Sequence, residues 1–207
     1  MKAWTGTRKE NKQARRIAGR DGFDYSVNVI LDMSLQVLDT DGKLSIDELR
    51  RYSRSYCQRA RELSDFFMSC RDDDRQAPRN LLIDEWGLDK TNRIVADKTT
   101  EEVEARLKEK YEKKNVDFYT GRYISETMLN IVWILYKQFG YTEEEITGFC
   151  RKFLPQLREI QEYYYAGDDD ETASACRALL MMNHGKDVYD YIVGNTDEFP
   201  NDDDSEE

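Results

Sequence analysis

The chain has 207 residues, a net charge of −11, 35% charged residues and 12% aromatic residues. That aromatic share excludes wholesale disorder, because disordered chains are poor in aromatics, and three prolines and eleven glycines leave room for long helices. The longest apolar run, residues 131–136, is far short of the roughly 20 residues of a membrane-spanning helix. The first residues lack the apolar core of a secretory leader, so a cytoplasmic protein with no membrane partner is expected.

Charge is sorted along the chain. Residues 1–20 hold seven Lys/Arg against one acid, a balance of +6, and the remaining 187 residues carry −17. This pattern predicts a basic N-terminal arm (1–20), a helical domain (21–196) and an acidic, disordered C-terminal tail (197–207) with seven acids and no base.

The arm is expected to be helical over about residues 7–18 and interrupted by Gly19 and Gly22. A first core helix follows over 23–38, with Phe23, Val27, Ile30, Leu31, Leu35 and Leu38 on one stripe. Asp39-Thr40-Asp41-Gly42 reads as a turn. Ser45 and Glu48 form a capping box that opens a helix over 45–70, striped by Leu49, Tyr56, Ala60, Leu63 and Phe67. These two helices should pack as an antiparallel hairpin. Residues 71–79 read as a loop, 80–86 as a short helix, and Thr99 with Glu102 as a second capping box opening a charged helix to about 115.

The strongest apolar signal lies in 119–139, a helix apolar nearly all round and therefore central, stopped by Gly140. Thr142 with Glu145 gives a third capping box, for a helix over 142–165 with Pro155 inside it and a kink expected near 151–154. Two further helices are expected over 171–183 and 187–192. The spacing predicts no strand.

The four cysteines, Cys57, Cys70, Cys150 and Cys176, are scattered and lack metal-ligand spacing, which predicts free thiols and no zinc. His184 is the single histidine and sits where a cation favours a helix C-terminus. Nothing supplies a nucleophile with a base, and no carboxylate pairs face each other as in metal-dependent pyrophosphohydrolases. The expectation is therefore a protein that is not an enzyme and needs no cofactor. The tyrosines Tyr163, Tyr164 and Tyr165 read as one core and two partly exposed side chains.

Three constellations bear on binding. Residues 37–48 resemble an EF-hand loop: Asp39 and Asp41 fall at positions three and five, Gly42 at six and Glu48 at twelve. Val37 occupies position one, where the family has a carboxylate, so Asp39, Asp41 and Glu48 are candidate but depleted metal ligands. Arg8, Lys9, Lys12, Arg15 and Arg16 share overlapping helix faces and suit phosphate contacts with nucleic acid. The acids Asp72, Asp73, Asp74, Glu143, Glu144, Asp168, Asp169 and Asp170 either complement helix N-termini or form a surface that imitates a phosphate array and binds a partner.

Residues 127–153, TMLNIVWILYKQFGYTEEEITGFCRKF, join an apolar helix to a charged one through Phe139-Gly140-Tyr141. This stretch resembles small helical proteins of phages and mobile elements in Gram-positive bacteria. The resemblance implies a context in which compact acidic proteins inhibit host defence nucleases, anti-CRISPR proteins among them. It carries no functional residues.

The resulting expectation is an all-α domain of six to eight helices. Its leading function is non-enzymatic: docking an acidic or aromatic surface onto a host protein, a nucleic-acid-handling one among the candidates, and blocking it, with nucleic-acid mimicry as one means. The alternatives are a nucleic-acid-binding accessory protein working through residues 1–20, and a calcium-responsive helical module.

Overall fold

A computed structural model describes residues 8–69, 84, 114–166 and 171–194. They form α1 (Arg8–Tyr25), a π-helical turn (Ser26–Ile30), α2 (Leu31–Asp41), α3 (Ile46–Ser69), α4 (Lys114–Phe139), α5 (Glu143–Ala166), α6 (Glu171–His184) and α7 (Lys186–Val193). No strand occurs among the described residues, so the fold is all-α. The expected loop at 71–79, the helix at 80–86 (Asp84 apart), the Thr99 capping box, Cys70 and the tail lie outside the described residues.

The first correction concerns the arm. Residues 8–41 run as one 34-residue helical rod, with the π turn inside it. Gly19 and Gly22 do not interrupt this rod; they let neighbours touch it. A Cβ on Gly19 would lie 2.9 Å from Cβ of Phe67 in α3, and one on Gly22 would lie 2.7 Å from the Tyr123 ring in α4. Ala14, Ala18 and Gly22 recur every four residues and are all buried, so α1 offers a smooth side to both partners. Ser64 Oγ donates to the Gly19 carbonyl across this contact at 3.0 Å.

α3 runs antiparallel to the rod: Gly19 meets Phe67 while Ser26 meets Tyr56. α4 runs antiparallel to α3, with the Tyr123 hydroxyl donating to the Ala60 carbonyl at 3.0 Å and Ser55 Oγ donating to Gln138 at 2.6 Å. α4 begins at Lys114, earlier than the expected 119. Its apolar run is central as expected, with Ile131, Val132, Ile134 and Leu135 fully buried. It also buries Glu126, Thr127 and Asn130. Both amide atoms of Asn130 are buried without a hydrogen-bond partner, an uncommon state for a core side chain.

The second correction concerns the turn at 39–42. α2 continues through Asp41 and ends at Gly42, whose φ of 64° suits glycine at a helix C-terminus. Two capping boxes form as expected. Ser45 N–H donates to Glu48 Oε2 at 2.8 Å, and Thr142 N–H donates to Glu145 Oε2 at 2.7 Å, each answered by the reverse bond from the acid's N–H. α5 continues through Pro155 as a single helix.

Two apolar clusters hold these helices. The larger joins the π turn, α2, the first half of α3, the apolar part of α4, and α5 to α7. The smaller, Ala18, Leu63, Phe67 and Tyr123, closes the far end of the α1–α3–α4 bundle.

Candidate functional site

The rod places the basic residues. Arg8, Lys12, Arg16 and Arg20 fall four apart on α1 and therefore share one face. Lys12, Arg16 and Arg20 are exposed, and Arg16 Nε donates to the Met68 carbonyl at 3.4 Å. Arg15 leaves the predicted patch. It is buried, with its guanidinium 5.1 Å from the Phe66 ring centre and 5.7 Å from that of Phe67. The side chains of Arg8 and Lys9 lie outside the described residues. Arg20, absent from the sequence-based set, continues the four-residue spacing, and that spacing was its signal.

The acids divide in the same way. Glu143 and Glu144 are exposed on the first turn of α5, where carboxylates complement the helix dipole. Glu145 turns back onto Thr142 and pairs with Lys43. The Lys43 ammonium and the Thr142 bonds hold its carboxyl down at about 2. Asp72, Asp73, Asp74, Asp168, Asp169 and Asp170 lie outside the described residues.

The EF-hand-like stretch is helical at its start. Asp39 and Asp41 sit in the last turn of a helix, not in a ligand loop. Acids there oppose the helix dipole, and polar partners from other helices offset the conflict. His184 Nε2 lies 2.6 Å from Asp39 Oδ1, Asn183 donates to Asp39 Oδ2 at 3.3 Å, and Lys152 pairs with Asp41. Glu48 caps α3, and its bonds from Ser45 hold its carboxyl below the usual range. The three carboxylates are thus spent on three separate structural contacts. Among the described residues no group of three or more His, Cys, Asp or Glu side chains is arranged to hold a metal ion. His184 is likewise a helix-to-helix partner, where a terminal capping group was expected.

Sequence reasoning missed the most buried charged side chain among the described residues. Asp32 is 2% exposed, yet it accepts from Arg177 Nε at 2.8 Å and from the Tyr189 hydroxyl at 2.8 Å. Burial, then the Asp32 charge, push the Tyr189 hydroxyl above its ordinary value, so it remains a donor. Asp32 and Asp39 are seven residues apart on α2, as are Arg177 and His184 on α6. Two clamps one heptad apart therefore lock α2 and α6 in parallel, with Leu35 and Leu180 buried between them in sequence.

The π turn completes this clamp. Its Ser26 carbonyl accepts Leu31 N–H and, at 3.1 Å, the Tyr56 hydroxyl. Its Asn28 carbonyl accepts Arg177 Nη2 at 3.2 Å. Side chains from α3 and α6 thus bind the carbonyls of the widened turn.

The three described thiols are buried. Burial pushes Cys57 up to about 11 and Cys150 up to about 12, and Cys176 is buried as well.

In comparisons with known proteins, the chain matches no family model, no curated protein and no solved structure. Among the described residues no helix is long and apolar enough to cross a membrane. The charged faces of α1 and α5 are the candidate functional surfaces.

Proposed function

We propose that this chain is a non-enzymatic binding protein that docks a charged face onto a host protein and blocks or modulates it. In this reading it serves a phage or mobile element as an anti-defence inhibitor of the anti-CRISPR type. One observation carries the proposal: α1 carries exposed Lys12, Arg16 and Arg20 on one face, and the first turn of α5 carries exposed Glu143 and Glu144. The basic face of α1 lies beside Met68, at the end of α3. The acidic first turn of α5 lies beside Lys43, just before α3 begins. A 24-residue helix separates the two ends by about 36 Å. Two separated patches of opposite charge steer and orient a charged partner on approach.

The test is affinity capture from the host followed by mass spectrometry. Charge reversal at Glu143 and Glu144 is expected to lose the captured protein, while reversal at Lys12 and Arg16 retains it. If free DNA displaces that protein, the acidic face stands in for phosphates. Capture unaffected by either reversal overturns the proposal.

The α1 geometry favours a second reading, nucleic-acid binding through Lys12, Arg16 and Arg20. Their regular spacing on a helix anchored by Ala14 and Ala18 presents the cations in a fixed row. Reversing all three should weaken DNA or RNA binding and flatten its salt dependence by about one phosphate contact per residue. Truncating residues 1–20 is not a clean test, because it removes core side chains.

A further inference from the structure

The arginines of α3 form a positive island in an acidic chain. Residues 50–61 hold Arg50, Arg51, Arg54, Arg59 and Arg61 and no acid. At about 100° per residue, Arg50, Arg51, Arg54 and Arg61 fall within one arc of roughly 100° on the helix. Two of them are braced by aromatic rings. Arg50 lies 3.9 Å over Tyr191 of α7, and Arg51 lies 4.5 Å over Phe139 of α4. A guanidinium over a ring can still offer N–H donors from its edge to an anion, although Arg51 Nη2 also donates to the Gln138 carbonyl at 3.4 Å. Arg50 Nε is buried and makes no hydrogen bond. Arg54 and Arg61 are exposed. Asp47, the acid at the start of the helix, already accepts the Tyr191 hydroxyl at 2.8 Å.

The chain leaves the described fold beside this face. α7 ends at Val193, and Gly194 N–H closes its last turn on the Asp190 carbonyl at 2.8 Å. Gly194 is three residues past Tyr191, whose ring lies under Arg50. Beyond it come Asp197, Glu198, Asp202, Asp203, Asp204, Glu206 and Glu207, with no Lys or Arg. The arginine face from position 50 to 61 is about 16 Å long. Thirteen residues of tail reach at most about 45 Å, so the acids can span it. Tethering also holds them at an effective concentration near millimolar, which compensates for individually weak exposed ion pairs.

We infer that the acidic tail, residues 197–207, docks in cis on the arginine face of α3 and screens it from external polyanions. The contact is electrostatic and needs no secondary structure in the tail. It does not depend on the function proposed above, which uses α1 and α5.

The full-length chain tests this. With Arg54→Lys, a carbodiimide is expected to join the new amine at position 54 to a carboxylate within residues 202–207, as read by peptide mass spectrometry, and high salt should abolish the link. Independently, a full-length chain with all seven tail acids changed to Asn or Gln should react with phenylglyoxal at Arg54 about threefold faster or more, the tethered competitor having been removed. That neutral-tail chain should also bind a labelled single-stranded oligonucleotide about tenfold tighter than the native chain, and Arg54→Glu with Arg61→Glu should reverse the gain. Absence of the cross-link together with equal Arg54 reactivity overturns the inference. So does equally tight oligonucleotide binding by native and neutral-tail chains, which would make an external polyanion the occupant of the face.

Discussion

The two halves of the 8–41 rod solve the same packing problem in opposite ways. Upstream of the π turn, α1 packs by having little side chain: Ala14, Ala18, Gly19 and Gly22 let α3 and α4 come close. Downstream, α2 packs through the buried carboxylate of Asp32 and the half-buried one of Asp39, each met by a group from α6. The first device tolerates no added volume. The second tolerates no unmatched charge. One continuous helix thus has two distinct vulnerabilities, and substitutions should expose each separately.

The largest expected effect is in the downstream half. Arg177→Ala leaves the Asp32 carboxylate buried without its counter-charge, at a cost of about 3 kcal/mol, the Tyr189 hydroxyl still donating to it. Asp32→Asn should cost less, about 1–2 kcal/mol, because Arg177 is 43% exposed and can turn to water. Urea unfolding followed by circular dichroism gives both values. If the asparagine variant is the less stable of the two, Asp32 is not the group whose burial needs compensation.

Upstream, Gly22→Ala pushes a methyl group into the Tyr123 ring and should cost about 1–3 kcal/mol. Gly148 in α5 is the control, since a Cβ there meets nothing within 4 Å. Gly148→Ala should stabilise by about 0.5–1 kcal/mol through helix propensity alone. Equal shifts in melting temperature for the two alanines would show that close approach is not what Gly22 provides.

The smallest expected effect concerns the surface pair of Lys43 and Glu145, just beyond the end of α2. Lys43 and Thr142 hold the Glu145 carboxyl at about 2, below its ordinary value of 4.5. The unfolded chain therefore takes up this proton first as pH falls. The contribution of this group is complete above about 4.5 and is lost as pH drops toward 2. Glu145→Gln should flatten the stability–pH curve across that window and leave it unchanged near neutrality. An unaltered acid slope would mean that the pair is not formed in solution.

Much of the frame was legible because its signals are local. The Ser45 and Thr142 capping boxes, the stop at Gly140, and the apolar run of α4 each need only neighbours in sequence. The continuity of the rod was not legible, because a small-residue face lacks apolar mass, and Gly19 and Gly22 look the same in a break as in a close contact. Asp32 was hidden because its partners lie 145 and 157 residues away. The matched heptad intervals, Asp32 to Asp39 and Arg177 to His184, were the available hint. For the candidate site, the spacing placed Lys12 and Arg16 on the outside, but it could not withdraw Arg15, whose position depends on the Phe66 and Phe67 rings.

The π turn has a consequence for phase. A bond from Leu31 back to Ser26 encloses one amino acid more than an ordinary helical loop does. That surplus residue rotates everything downstream by about a quarter turn relative to an unbroken α-helix. It is the offset by which a strip of alanines and glycines can face one pair of neighbours while the aspartates beyond it face another. Removing one amino acid from this loop would swing Asp32 and Asp39 out of line with α6, although Asp32, Asp39, Arg177 and His184 would all still be present.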